Sequence, residues 1–135
     1  MDRAKSRILI ADPDPDIRQT LELYFISSGF WVQTIELASE VVKTARFWQP
    51  HAILISIEFE DTNPLRVCRE LLVDTLTGHI PVVVMLQVNE RQARLQALEA
   101  GVVDIVIKPL DIEELLLRVQ AAIRLTTERL EASRV

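Results

Sequence analysis

Short apolar runs alternate along this chain with stretches in which apolar residues recur every three or four positions. The runs fall at residues 7–11, 30–35, 52–57, 81–86 and 102–107. They are rich in Ile, Leu and Val and read as strands; the first is almost continuously apolar, which suits a strand buried on both faces of a parallel sheet. Between them, Ile17, Leu21, Tyr24 and Phe25 predict a helix over 15–28, and Val41, Val42, Ala45 and Trp48 a second over 38–48. Leu65, Cys68, Leu71 and Leu72 support a third over 65–73; residues 90–100 and 111–130 read as the fourth and fifth. The punctuation agrees. Asp14 and Asp111 stand at N-cap positions, and Pro15 at a first helical position. Gly29 and Gly101 close helices, and Pro50 ends the second.

Strict strand–helix alternation implies a doubly wound α/β fold: five parallel strands, (βα)5, with helices on both faces. The size matches a flavodoxin-like fold. Such sheets work at the carboxyl ends of their strands. The segments to inspect therefore follow Ala11, Ile57, Leu86 and Ile107. After the first strand, Asp12 is held extended by Pro13, and Asp14 by Pro15. Asp14 suits capping, whereas a carboxylate such as Asp12 at a buried strand end needs a partner. After the third strand, Ser56 begins an acidic turn with Glu58, Glu60 and Asp61. Neither His51 nor His79 is placed to activate that serine, and no Gly-x-Ser-x-Gly elbow surrounds it. Gln87 follows the fourth strand. Lys108-Pro109 follows the fifth, with the lysine amine over the crevice of Asp12; the plainest reading is an ion pair between them.

Composition narrows the classes. The chain has 135 residues and a net charge of −5, with 15 Lys and Arg against 20 Asp and Glu. That balance argues against a nucleic-acid surface, which needs clustered cations. No apolar run approaches the ~18 residues that span a bilayer, and the first residues lack a signal-peptide pattern. A cytoplasmic protein is expected. A single cysteine, Cys68, fits a reducing compartment and reads as a small buried apolar residue. Three glycines, Gly29, Gly78 and Gly101, leave no Gly-x-Gly-x-x-Gly or Walker loop for a nucleotide-binding enzyme, the remote alternative on this fold.

Five segments together carry a family resemblance: residues 7–12, 50–56, 80–86, 98–101 and 108–116. In order and spacing the chain resembles a response regulator receiver domain over about residues 7–124. The resemblance implies strand order 2-1-3-4-5. It also implies a metal-binding acid at Asp12, a phosphate-binding-type lysine at Lys108 and a cis peptide before Pro109. Four positions depart from the family pattern. Pro13 replaces a second acid, though Asp14 is nearby. Ser56 replaces the phosphate-accepting aspartate, Gln87 a hydroxyl residue and Ile105 an aromatic switch residue. A serine hydroxyl is a poor nucleophile without a base and forms a far less reactive ester.

These departures imply a degenerate receiver, not an enzyme, that signals by protein–protein contact without aspartyl phosphorylation. No cofactor is expected. The residual candidates for Mg²⁺ are Asp12 and Glu58, since one or two carboxylates can suffice. The alternative is a phosphorylatable receiver with a displaced acceptor, Glu58 or Asp61, although both are expected to lie away from the line of Lys108 and Asp12. The docking face implied by the family comprises the fourth helix, fifth strand and fifth helix, with Arg91, Arg94, Ile105, Glu113, Arg118 and Arg124. Its expected partners are a histidine kinase, an output domain or a second copy in a homodimer, with neither nucleic acid nor membrane. The receiver domain is expected over 1–124, followed by a helical extension or linker over 125–135.

Overall fold

A computed structural model describes residues 5–133. Residues 1–4, with the start of the chain, and the last two positions of the expected extension lie outside them. Five strands, β1 Arg7–Ala11, β2 Trp31–Ile35, β3 Ala52–Ser56, β4 Val82–Leu86 and β5 Asp104–Ile107, form one parallel sheet in the order β2-β1-β3-β4-β5. The helices are α1 Pro15–Ser27, α2 Val41–Trp48, α3 Pro64–Val73, α4 Arg91–Glu99 and α5 Ile112–Ala132. A single 3₁₀ turn, Ala38–Glu40, leads into α2.

The two-residue side-chain period divides the core into two layers. Leu9, Ala11, Ile53, Ile55, Val82 and Val84 face the side covered by α2, α3 and α4. Ile8, Ile10, Ala52, Leu54, Val83 and Met85 face α1 and α5, against Leu21, Phe25, Leu115 and Val119. Every residue of β3 and β4 is buried. This explains their nearly unbroken apolar sequence. The period continues to the strand ends: Asp12 follows Ile10, Ser56 follows Leu54, and Lys108 follows Val106, so all three belong to the α1–α5 parity.

The chain's punctuation is physical. Asp14 Oδ1 accepts the Asp16 amide at 2.9 Å, and Asp111 Oδ1 accepts the Glu114 amide at 3.1 Å. Gly29, after α1, takes φ of +95°, a conformation that disfavours any side chain. Helix α2 ends at Trp48, two residues before Pro50, with Gln49 between them at φ +52°. The helix α5 crosses residue 125 without a break, so the boundary expected there falls inside one continuous helix. No helix of the described residues is long and apolar enough to cross a membrane.

Candidate functional site

Parallel pairing puts the ends of β1 and β3 side by side, with β5 beyond β4. The Lys108 amide still donates to the Leu86 carbonyl of β4 at 2.7 Å, so from the start of the loop after β5 its side chain reaches across the end of β4 to meet them. A cis peptide between Lys108 and Pro109 shapes that loop. The side chain of Lys108 is 9% exposed and that of Asp12 wholly buried, and Nζ donates to Asp12 Oδ2 at 2.8 Å. It donates also to Ser56 Oγ at 3.3 Å, and Ser56 too is wholly buried. The third partner departs from the sequence reading. Glu58, expected beyond the reach of this line, turns back from the loop after β3, and its Oε1 accepts from Lys108 Nζ at 2.7 Å. The turn at residues 57–58 makes this reversal, with the Glu58 amide donating to Ser56 Oγ at 3.1 Å. Two residues of extended strand would have carried the carboxylate away.

A lysine ammonium has three N–H donors and no acceptor. Here all three are assigned: Asp12, Ser56 and Glu58. Burial alone would lower the pKa of Lys108, but the hydrogen bonds and charges of Asp12 and Glu58 outweigh it and hold the pKa above its ordinary value. The other oxygen of Asp12 accepts the Asp14 amide at 2.9 Å. Arg18 is a participant that the sequence reading missed. From α1, Nη1 donates to the Asp12 carbonyl at 2.7 Å, and Nη2 lies 3.5 Å from Glu36. Its only sequence signal is a place in the first turns of the helix after Asp12.

The remaining candidates are dispersed. Asp14 is exposed and caps α1. Gln87 is exposed, and among the described residues no hydrogen bond joins its amide to Lys108, Asp12 or Ser56. Asp61 is elsewhere: its carboxylate accepts the Ala38 and Ser39 amides at 3.0 Å each and caps the 3₁₀ turn before α2. Burial pushes its pKa upward, yet those amides hold it below the ordinary value. His51 sits at the opposite end of β3 from Ser56, where Nδ1 accepts the Arg7 amide at 2.9 Å. Burial, then the Arg7 charge, lowers its pKa. Cys68 is buried in the α3 layer, its thiol pushed up to about 12, chiefly by burial. That makes it unreactive as a nucleophile at neutral pH.

The two carboxylates proposed for Mg²⁺ share one ammonium. A divalent ion on Asp12 and Glu58 would have to displace Lys108 or face its positive charge. No group of three His, Cys, Asp or Glu among the described residues is placed to hold a metal ion. The residues present therefore do not fit a resident Mg²⁺ as they stand.

On the α4–β5–α5 face, Arg91, Glu113 and Arg124 are exposed, and Ile105 is half-buried against the α2–α4 layer. Arg94 is half-buried and hydrogen-bonded to Asn89. Arg118 is already engaged within the domain, 3.0 Å from Asp104 and 3.0 Å from Glu114. Val103, Leu117 and Leu125 line a shallow groove beside it.

Comparison with known proteins agrees with this architecture. The chain is 32% identical over 120 residues to the DNA-binding dual master transcriptional regulator RpaA of Synechocystis, covering 89% of this chain and 50% of that one. It is 30% identical over 124 residues to the DNA-binding response regulator MtrA of Mycolicibacterium smegmatis, covering 92% and 53%. The chain thus spans about half the length of these curated relatives. Among solved structures, a receiver domain protein from Methanospirillum hungatei superposes with TM-score 0.87 at 17% identity, covering 93% of this chain and 99% of that chain, a likeness of fold alone. A two-component response regulator from Clostridium difficile superposes with TM-score 0.82 at 29% identity, covering 89% and 97%. The family model of the response regulator receiver domain matches residues 8–120. On these grounds the chain belongs to the response regulator receiver domain family.

Proposed function

We propose that this receiver domain signals without aspartyl phosphorylation, through protein–protein contact. One observation carries the reading: all three donors of Lys108 are taken within the chain, by Asp12, Ser56 and Glu58, at the end of the sheet where this family does its chemistry. A phosphoryl group would find Ser56 in place of a carboxylate and no free donor on the lysine. The hydroxyl of Ser56 has no base: its hydrogen-bond partners are Lys108 and the Glu58 amide, both donors. The domain is then a binding module and not an enzyme, and needs neither Mg²⁺ nor another cofactor. Its place is the cytoplasm. The partner is a protein: a histidine kinase, an output domain or a second copy, docked on the α4–β5–α5 face through its exposed charges and the groove of Val103, Leu117 and Leu125. The receiver unit takes residues 1–124, and the last turns of α5 form an extension that leads toward an output domain or a dimer. Nucleic acid is not bound directly.

The test is incubation of the chain with a small phosphodonor and Mg²⁺, followed by intact mass. An unchanged mass is expected. A gain of one phosphoryl group, lost in mild base, overturns the reading. One observation favours a second reading, in which Glu58 is the displaced acceptor: its carboxylate is the one acid in the pocket that reaches both Lys108 and solvent. Under that reading Glu58→Gln abolishes the gain in mass.

A further inference from the structure

The three groups on Lys108 are not equally replaceable. Asp12 and Ser56 are wholly buried and fixed at strand ends. Glu58 reaches in from a turn, and its side chain is 31% exposed. It covers the solvent side of the pair that Lys108 makes with Asp12. The charge is also uneven. Asp12 and Lys108 alone are neutral, and Glu58 brings the cluster to one excess negative charge, with Arg18 held to the Asp12 carbonyl and to Glu36. An excess anion in a half-buried place is held there by strong hydrogen bonds, here the 2.7 Å bond to Lys108.

We infer that Glu58 is an intramolecular oxyanion ligand that keeps an anion-binding site shut. Without its carboxylate, one Lys108 donor is freed, 3.3 Å from the Ser56 hydroxyl and beside a neutral Lys108–Asp12 pair. That pair of donors is suited to a small oxyanion, a phosphate or a carboxylate. In the intact chain Glu58 occupies the position, so the domain holds one conformation around this pocket. An acidic group of a partner enters only by displacing it. This inference rests on the proposed absence of phosphorylation, since it takes the site's ligand to be non-covalent.

The experiment compares the chain, Glu58→Ala, Glu58→Gln and the double variant Glu58→Ala with Lys108→Met. Melting temperature is followed against inorganic phosphate, with acetate in a parallel arm and chloride holding ionic strength constant. Anion binding to the folded state raises the midpoint by mass action. Glu58→Ala is expected to bind at least one of the two anions at least tenfold more tightly than the intact chain, and the arm that responds identifies phosphate or carboxylate. Adding Lys108→Met is expected to abolish the gain. If Glu58→Ala does not fold, as judged by circular dichroism, the isosteric Glu58→Gln carries the comparison. A folded variant that responds to neither anion more than the intact chain overturns the inference. So does a gain that survives Lys108→Met, because the anion then binds elsewhere. Intact mass after phosphodonor treatment is read separately on the unsubstituted chain, so loss of the non-covalent site and loss of the signalling proposal remain distinguishable.

Discussion

Two clusters in this domain have the same charges and opposite settings. At the carboxyl edge of the sheet, Lys108 joins Asp12 and Glu58 with its side chain 9% exposed. On the α5 surface, Arg118 joins Asp104 and Glu114 with its side chain 42% exposed. Each is one cation between two carboxylates, at 2.7–2.8 Å in the first and 3.0 Å in the second. Distance hardly separates them; solvent does. Water screens the Arg118 cluster and offers each group an alternative partner, so such pairs contribute about 0–1 kcal/mol. Asp12 has no such alternative, because burial removes water and leaves Lys108 as its counter-ion. A buried pair is not strongly stabilising against an apolar replacement of both partners, yet breaking one side of it is costly. The pocket is therefore rigid because its components cannot be separated cheaply. The surface cluster can exchange its partners for those of another protein.

That contrast can be broken at four points. The largest effect is expected for Lys108→Met, which leaves Asp12 buried beside Glu58 without a cation: a loss of about 3–5 kcal/mol in urea unfolding. Glu58→Ala is expected to cost less, on the order of 1–2 kcal/mol, because Lys108 keeps Asp12 and the carboxylate removed is partly solvated. Arg118→Ala should cost about 1 kcal/mol or less, and the difference should shrink further in high salt. A loss for Arg118→Ala equal to that for Lys108→Met would remove the distinction drawn from burial. The smallest expected effect is one of pH. The folded-state pKa of Lys108 lies above its ordinary value of 10.5. Its stabilisation is thus complete below that ordinary value and is lost as pH rises through the raised one. The stability gap between the intact chain and Lys108→Met should narrow above about pH 10.5, whereas the gap for Arg118→Ala should not narrow over the same range. Matched urea titrations at pH 8 and pH 11 measure both gaps.

The fold was largely legible in the sequence. Strands buried on both faces declare themselves by continuous apolar residues, as in Ile53, Leu54 and Ile55. Capping residues act within a few positions, so Asp14 and Asp111 were readable as well. Boundaries shifted where tertiary contact takes over. Residues 38–40 form a 3₁₀ turn before α2, under a cap from the distant Asp61. The fifth strand begins at Asp104 and not at Val102. In the site, Asp12 with Lys108 was legible because each follows a strand at the carboxyl edge of the sheet, and a lysine side chain is long enough to reach the other's carboxylate. Glu58 was not. Its contact depends on the turn after Ser56 reversing the chain, and nothing in the spacing of Ser56, Glu58 and Asp61 says which acid turns inward. Arg18 was equally hidden, since a guanidinium one turn into a helix has many carbonyls within reach. The partners of Arg118, a residue of the expected docking face, were not legible either: Asp104 lies fourteen residues before it, and Glu114, one turn before it, is one of several acids at the start of α5.

The central claim is that Lys108 is saturated from within the chain and so takes no part in phosphoryl chemistry. Its ammonium group can be observed directly by proton–nitrogen NMR in selectively labelled protein at neutral pH. A slowly exchanging Lys108 ammonium signal is expected, unchanged after addition of a small phosphodonor with Mg²⁺ and weakened by Glu58→Ala. A signal that exchanges as fast as that of the exposed Lys5, or one that shifts when the phosphodonor and Mg²⁺ are added, would contradict the account.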